Sequence, residues 1–296
     1  MTYNSERTLA NTLASAQRIS NDIHVVDSFS SDRTVEIAKG HGANVVTHHF
    51  ANYAKQRNWA IENLPLACDW ELHLDADEQL SEELIVDLAR LENEAVISTE
   101  INGYHIARLV RFLGRPIKHG GMFPIWHMRL FRRGLGRCEQ REYDQHFMVR
   151  GATGKTRGFL IDDIQMTLSE WIIRHNRWSD AEVSELSRTE PTSGLVASRL
   201  FGTPIERKRY LKRIYERCPA LSRAWLLFLY RYLIRGGFLD GREGAVFFVL
   251  QTFWFRFLVD AKLFEQELLI DKQHPGGSLN GSNIESYHGT EPTRAY

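Results

Sequence analysis

The sequence predicts an α/β protein, in which a sheet covered by helices is followed by a helical C-terminal extension. Short apolar runs alternate with amphipathic segments of about ten residues through the first part of the chain. Helix-capping residues and glycines, such as Ser30 and Gly40, bound those segments. After residue 199 the apolar runs lengthen and carry many Arg, Trp, Phe and Tyr residues, which indicates helices.

The predicted strands are short buried runs, and they are IHVVD (23–27), ANVVTH (43–48) and WELHLD (70–75). The predicted helices lie between and beside them, and they cover residues 6–16, 30–40, 53–64 and 81–91. Leu9 and Leu13 share one face of the first helix, and Ser81 caps the last. This alternation favours a parallel sheet covered on both faces, as in Rossmann-like nucleotide-binding folds.

The composition excludes several classes of function. Lys and Arg number 37 and Asp and Glu number 37, so the basic excess expected of a nucleic-acid-binding protein is absent. The 3 cysteines are odd in number, widely spaced and outside any CxxC pattern, which is typical of a reducing cytosol. No signal peptide is visible, and no run reaches roughly 18 uninterrupted apolar residues. We therefore expect a cytoplasmic protein.

Two aspartates placed one residue apart end the strand WELHLD. Asp75 and Asp77 project to the same side of an extended chain, and Asp27 ends an earlier strand in the same way. Ligands of α/β sheets bind at the carboxyl ends of strands. Carboxylates that leave other positions open suit Mg²⁺ or Mn²⁺ bound together with substrate phosphates. The alternative is a simple turn, with Glu78 favouring the N-terminus of the next helix.

Five segments resemble those of family 2 glycosyltransferases and occur in the same order. They are TYNSE, VVDSFSSDRT, AKQRNWAI, LHLDADE and SEWIIRHNRWS. The likeness covers about residues 2–186 and is greatest to lipopolysaccharide core-type glucosyltransferases and related exopolysaccharide enzymes. It implies a GT-A fold with a mixed sheet, a nucleotide-sugar donor (a UDP-sugar), a divalent metal ion and inversion at the anomeric carbon.

The resemblance assigns residues to the donor side of the site. Those implied to bind the nucleotide sugar are Asp27, Gln56, Arg57, Asn58, Asp75 and Arg177. Asp75 and Asp77 are implied to hold Mg²⁺ or Mn²⁺, with Asp77 as the direct ligand. Asp27 would touch the uracil or ribose, and the planar guanidinium of Arg57 would pair with diphosphate oxygens. Asp32 is instead expected to cap a helix, and Lys55 to lie on a solvated helix face.

Inversion requires a base that takes a proton from the acceptor hydroxyl. By the resemblance this acid lies in CEQREYDQHFMVRG, where Glu139, Glu142 and Asp144 are candidates. Many relatives read His-Glu where this chain reads YDQH, so more than one register is open. We expect Asp144, because it lies just before the strand HFMVR, with His146 either orienting it or binding the diphosphate. Glu142 is the main alternative.

The segment that follows residue 166 is predicted to begin a long helix. Thr167 and Glu170 form a capping box. By the resemblance Arg174, His175 and Arg177 approach the active site or the acceptor. Asp163, just before this helix, would occupy a position beside the metal that is often His in relatives.

The last third of the chain is basic and rich in aromatic residues. Residues 199–235 include ten Lys or Arg but two Glu, and the run AVFFVLQTFWFRFLV follows. Such helices suit an anionic membrane surface; the alternative is a buried helical subdomain whose arginines extend to solvent. We expect a catalytic domain at 1–165, a helical membrane-surface region at 166–271 and a disordered Gly-, Ser- and Asn-rich tail at 272–296.

These expectations define one function and two alternatives. We predict an inverting glycosyltransferase, peripheral on the inner face of the cell membrane, that extends a surface glycan on a lipid-linked acceptor. A metal-dependent nucleotidyltransferase should show a Gly-rich basic loop after its first strand, and an inactive membrane scaffold would not need Asp77. The resemblance also implies a buried first strand, which we expect in an apolar-rich stretch upstream of Met1.

Overall fold

The protein contains a mixed β-sheet with helices on its faces and a helical region packed against one end. The computed structural model describes residues 1–95, 100–141, 144–187 and 198–273. The strands are β1 (His24–Asp27), β2 (Asn44–Thr47), β3 (Trp70–Leu72), β4 (Glu78–Leu80), β5 (Ile101–Phe112), β6 (Arg115–Pro116), β7 (Ile125–Arg132), β8 (Gly136–Cys138), β9 (Phe147–Val149) and β10 (Ala152–Ile164).

The helices alternate with the early strands and then dominate the chain after residue 167. They are α1 (Leu9–Ala16), α2 (Thr34–Gly40), α3 (Tyr53–Asn63), α4 (Glu82–Ala95), α5 (Leu168–Leu186), α6 (Pro204–Glu216), α7 (Ser222–Leu229), α8 (Gly241–Phe248) and α9 (Phe255–Gln273). A π-helical turn (Tyr230–Ile234) continues α7, and a second one (Val249–Trp254) joins α8 to α9. The tail predicted at 272–296 lies almost entirely outside the described residues.

The strand order of the central sheet is β3-β7-β5-β10-β4, with β6 paired to β5. β5 and β10 run parallel, whereas β3–β7, β5–β7 and β10–β4 are antiparallel. β1 and β2 form a separate parallel pair, and β8 pairs with β9. The predicted mixed α/β sheet with a helical extension is confirmed. The parallel sheet that the alternation of strands and helices predicted is wrong, because β4 and β7 pair antiparallel with their neighbours.

One apolar cluster joins the helical region to the sheet. Val110 and Phe112 at the end of β5 pack with Trp171 of α5 and with Phe247 and Phe248 of α8. Gly120 makes this close approach possible, since a Cβ there would lie 2.1 Å from the Phe248 ring. The capping box at Thr167 is present as predicted, so α5 begins where the sequence places it.

A cavity of about 750 Å³ separates β1 from β3. Its walls are mostly apolar, with Leu13 and Val25 on one side and Leu72 on the other. Thr2 pairs with the last residues of β1 along this cavity, but in the described ranges no strand pairs with the facing edge of β3. The α-amino group of Met1 lies at the end of the cavity, where burial and the charge of Arg57 lower its pKa to about 5. The cavity therefore lies between two strand edges and is wide enough for one more strand.

We predict that adding a strand to this cavity stabilises the protein. A fused extension of about six β-branched residues ahead of Met1 has the length of a typical strand and would pair with both edges while it buries the apolar walls. Fusion also replaces the buried amino group by a peptide bond. We expect the midpoint of thermal unfolding to rise by on the order of 5 °C. A Gly-Ser extension of equal length is the control; equal melting of the two fusions would contradict the prediction.

Candidate active site

Asp75 lies just beyond β3 and is held by cations on both sides. Arg57 of α3 and the Tyr53 hydroxyl donate to its Oδ1, and Arg129 of β7 donates to its Oδ2 at 2.7 Å. Burial opposes ionisation of this carboxyl, but Arg129 and Arg57 outweigh it, so the pKa of Asp75 lies well below its usual range. Asp75 is therefore a fixed, ionised anchor whose two oxygens are already occupied.

Glu78, at the start of β4, closes this network. Its carboxylate accepts hydrogen bonds from Arg129 at 2.6 Å and from the Asp75 backbone N–H at 2.9 Å. Both Glu78 and Arg129 are buried. Their ion pair is shielded from water and fixes the conformation of the turn between β3 and β4. Asp77, one of the two residues between Asp75 and Glu78, is consequently presented at the edge of the sheet.

Asp77 differs from Asp75 because no cation is paired with it. In the described part of the chain its carboxylate has no hydrogen-bond or ion-pair partner, although its backbone carbonyl accepts from the Asp163 N–H at 3.0 Å. Burial, followed by the nearby charges of Asp162, Asp75 and Glu78, raises the pKa of Asp77 to about 8. Burial and the surplus of nearby negative charge therefore outweigh the opposing charge of Arg174 and disfavour the ionised form of Asp77.

Asp162 contributes to this surplus from the neighbouring strand. It faces Glu78 across the antiparallel pair β10–β4, and its carboxylate lies 3.6 Å from Arg108 of β5. The sequence interpretation chose Asp163 instead. That side chain is turned toward Gln165 and Arg111, at 2.9 Å and 3.9 Å.

The residues present fit a divalent cation that is bound jointly with a ligand. A free, charge-crowded carboxylate at Asp77 is the hard oxygen donor that Mg²⁺ and Mn²⁺ prefer. Within the described ranges no three His, Cys, Asp or Glu side chains are grouped so as to hold a metal by themselves. Asp75 is not free for direct coordination, since Arg57 and Arg129 occupy it.

Asp27 and Gln56 organise the loops that follow β1 and β2. Asp27 is fully buried; its carboxylate accepts from the Thr2 hydroxyl at 2.9 Å and from the Ser30 N–H at 2.8 Å. Gln56 bridges His48, at 2.6 Å, and Ser28, at 3.2 Å. Both side chains therefore stand at the carboxyl end of the strands, as predicted, and they shape the loops there.

Asn58 does not join this group. Its amide donates to the Cys138 carbonyl at 2.9 Å and accepts from the Cys138 N–H at 2.8 Å, which fastens α3 to β8. The structure gives it this role in place of the predicted one in the nucleotide pocket. Asp32 caps the start of α2 by accepting from the Thr34 N–H at 3.0 Å, and Lys55 is exposed; both agree with the sequence interpretation.

Asp144 lies in a second charged group on the loop before β9. Its backbone has a left-handed φ of 56°, and its carboxylate lies 2.8 Å from Lys208, 3.5 Å from His146 and 3.6 Å from Arg209. Burial opposes ionisation, but Lys208, His146 and Arg209 hold the pKa of Asp144 well below its usual range. The neighbouring candidate, Glu142, lies outside the described residues.

Glu139, the third candidate base, is enclosed by the same loop. Its side chain is completely buried, pairs with Arg209 of α6, and accepts from the His146 N–H at 3.1 Å. Arg209 also donates to the backbone carbonyl of Asp144 at 2.6 Å. Glu139 therefore holds the loop in shape, whereas the Asp144 side chain keeps 19% of its surface exposed.

On α5 the structure gives His175 a different role from the expected one. His175 is buried, with Nδ1 against the Trp171 carbonyl at 2.8 Å and Nε2 against Gln251 at 3.0 Å, so it is a core residue. Arg177 is exposed on the helix surface. The α5 cation whose charge acts on Asp77 is Arg174, three residues earlier.

Sequence reasoning missed several residues of the site. These are Tyr53, Arg108, Arg129, Asp162, Lys208 and Arg209. Arg129 carried a signal, since an arginine inside the apolar strand IWHMRLF requires a buried partner. Lys208 and Arg209 were assigned to a membrane surface, because nothing local shows that α6 packs beside the loop of Asp144.

We predict that Arg129→Met destabilises the fold. Removing this guanidinium leaves the buried carboxylate of Glu78 and the partly buried one of Asp75 without their shared cation, which typically costs about 3–5 kcal/mol. Urea denaturation of the purified variant measures the loss. Arg137→Met is the matched control; its ion pair with Glu62 is exposed and 3.7 Å long, so a change within about 0.5 kcal/mol is expected. Equal losses in both variants would contradict the role assigned to Arg129.

Comparison with known proteins agrees with this geometry. Residues 1–138 match the family model Glycosyl transferase family 2. The lipopolysaccharide core biosynthesis glycosyltransferase LpsC of Rhizobium meliloti is 26% identical over 90% of this chain and 90% of its own length. An uncharacterized glycosyltransferase of Rickettsia typhi is 40% identical over 84 residues, and this match spans 28% of each protein.

Solved structures resemble this chain more distantly. Residues 1–349 of TarS from S. aureus align over 90% of both chains, with 12% identity and a TM-score of 0.40. Glucosyl-3-phosphoglycerate synthase from Mycobacterium tuberculosis aligns over 68% of this chain and 82% of its own, with 14% identity and a TM-score of 0.39. The sequence matches therefore show that residues 1–138 are similar to a family 2 glycosyltransferase domain.

Proposed function

We propose that this protein is an inverting glycosyltransferase that moves a sugar from a UDP-sugar to a lipid-linked surface glycan at the inner face of the cell membrane. The observation that carries the proposal is Asp77, a carboxylate left without a cation among three other acids at the carboxyl end of β3. Transfer from a nucleotide sugar releases a diphosphate, and a cation bound at Asp77 together with phosphate oxygens would stabilise that leaving group. The similarity to an enzyme of lipopolysaccharide core biosynthesis supports the type of acceptor.

On the donor side, Asp77 would hold Mg²⁺ or Mn²⁺, with Asp75 behind it as a fixed second charge. The bound ion supplies stabilisation of the charge that develops on the departing diphosphate. Arg57 serves to fix Asp75, and Arg174 takes the place predicted for Arg177 in facing the diphosphate. The loop that Asp27 holds after β1 would receive the uracil and ribose.

On the acceptor side, Asp144 would take the proton of the attacking hydroxyl. That oxygen bonds to the anomeric carbon on the face opposite the departing diphosphate, and this geometry inverts the configuration. In the present structure Lys208 is hydrogen-bonded to Oδ1 of Asp144, which weakens the carboxylate as a base. Because the Lys208 side chain is 44% exposed, an entering acceptor can displace it at small cost.

The alternatives receive less support. A nucleotidyltransferase shares the sheet and the acids, but the family match is to glycosyltransferases. An inactive scaffold has no need for a carboxyl group at Asp77 that lacks an ion-pair partner in the described residues, since burial and the nearby acids make its ionisation unfavourable unless a ligand neutralises it.

We predict that Asp77→Asn abolishes the metal dependence of UDP binding. Calorimetry with UDP in the presence of Mn²⁺, and again with EDTA, should show that metal strengthens binding to the wild type but not to the variant. In EDTA the variant should melt at or above the wild-type temperature, because it lacks the uncompensated charge. Asp69→Asn, an exposed aspartate near β3, is the control. Retention of metal-dependent affinity by Asp77→Asn would overturn the assignment.

We predict that Asp144→Asn lowers turnover by about 10²- to 10⁴-fold, which is the usual contribution of a general base. UDP affinity should be spared, since the donor contacts other residues. Glu142→Gln is the matched comparison, with turnover and UDP affinity measured for both variants. If only Glu142→Gln loses turnover, Glu142 is the base and the register proposed for Asp144 is wrong.

A further inference from the structure

An uninterrupted apolar face lies on the outer side of α7 and the π-helical turn that continues it. Its members are Trp225, Leu226, Leu229, Tyr230, Leu233 and Ile234. All are exposed, from 42% at Leu229 to 76% at Ile234. The spacing of three and four residues keeps them on one side of the helix over three turns, so they form a stripe instead of scattered surface residues.

A second stripe adjoins the first. Val246, Val249 and Phe257 are exposed along α8 and α9, and Phe253 lies between them. The ring centroids of Trp225 and Phe253 are 4.1 Å apart, which joins the two stripes into one surface. We refer to this surface, formed by the six residues of the first stripe and these residues of the second, as the docking face.

The opposite sides of the same helices are already buried in the fold. Phe247, Phe248 and Phe255 are fully enclosed, and Arg223 pairs with Asp260 inside the helical region. The docking face is therefore what remains apolar after the internal packing is complete. Contiguous apolar patches of this kind on a soluble protein mark an interaction site.

The charges around the docking face are positive. Four exposed arginines on or next to α6, α7 with its π-helical turn, and α8 have no carboxylate partner in the described ranges, and they are Arg213, Arg217, Arg235 and Arg242. Between residues 217 and 258 the acids are Asp240 and Glu243. Asp240 is buried against His119, and Glu243 lies 3.9 Å from Arg115, so neither offsets the arginines.

We propose that the docking face lies in the headgroup region of an anionic membrane, with α7 parallel to the surface. Apolar side chains would enter the boundary of the acyl chains while the bordering arginines pair with lipid phosphates, as in interfacial amphipathic helices. The inference specifies the surface for the membrane location in the proposed function and rests on that location, but it uses no residue of the catalytic machinery.

Two other arrangements fit the structure less well. The helical stretch 237–270 is long and apolar enough to cross a bilayer, but 39% of its most apolar window is buried within the protein. Crossing would expose those residues and break the Arg223–Asp260 pair. A symmetric dimer through the docking face would bring the same arginines of two copies together, which like-charge repulsion opposes.

Co-sedimentation of the full chain with vesicles tests the proposal. One vesicle is pure phosphatidylcholine, and the other contains phosphatidylglycerol as well. We expect binding to the anionic vesicles alone, weakened by high salt. Leu233→Asp and Ile234→Asp, both at exposed positions, should each lower partitioning on the order of tenfold. Val86→Asp, at a 70% exposed position on α4, is the control and should bind like the wild type.

Several outcomes would overturn the proposal. The first two are equal binding to the two vesicles and an equal loss of vesicle binding in Val86→Asp. The third is resistance to alkaline extraction, which indicates a spanning helix. The fourth is a dimer that Ile234→Asp dissociates while vesicle binding persists. UDP affinity is measured on the same samples. Ile234→Asp should retain it, so a failure of membrane docking is distinguished from a failure of the proposed catalytic function.

Discussion

The double ion pair of Asp75 with Arg57 and Arg129 is the constraint on which the rest of the site depends. It connects α3, the end of β3 and β7, elements that are far apart in the sequence. Such an ion-pair network stabilises the fold only when every partner is present, because a carboxylate that loses its cation still carries the desolvation free energy of leaving water. The network therefore fixes the direction in which the chain leaves β3, and it brings Asp77 to the edge of the sheet.

The arginines of this network pair with Asp75, whereas no cation pairs with Asp77 in the described residues. Arg57 and Arg129 both aim at Asp75, and Arg129 also serves Glu78. Burial, and after it the charge of Asp162, raises the pKa of Asp77. A site that is organised in advance for a cation needs a carboxylate that is not already paired, since a fully paired carboxylate would have to break its own contacts before it could bind the ion.

The sequence predicted the local features of the site well and the long-range ones poorly. The strand ends at Asp27 and Asp75, the capping box at Thr167 and the Asp-x-Asp segment depend on neighbouring residues, so pattern and resemblance were sufficient. Asp162 could not be found in this way, because its position beside Asp77 follows from the pairing of β10 with β4. The contacts of Asn58 with β8 could not be predicted for a related reason: resemblance identifies a segment, but the direction of each side chain depends on how the helix packs.

The helical region participates in the candidate site more directly than a boundary at residue 165 implies. Lys208 and Arg209 of α6 hold Asp144, and Glu139 locks the same loop to that helix. α6 ends at Glu216 and α7 begins at Ser222, so a short turn separates the residues that hold the proposed base from the docking face. If α7 lies on the membrane, the orientation of α6, and with it that of Asp144, is fixed relative to the lipid. An acceptor anchored in the membrane would then meet the base through the packing of two helices, whereas the donor side is built by the sheet together with α3 and α5.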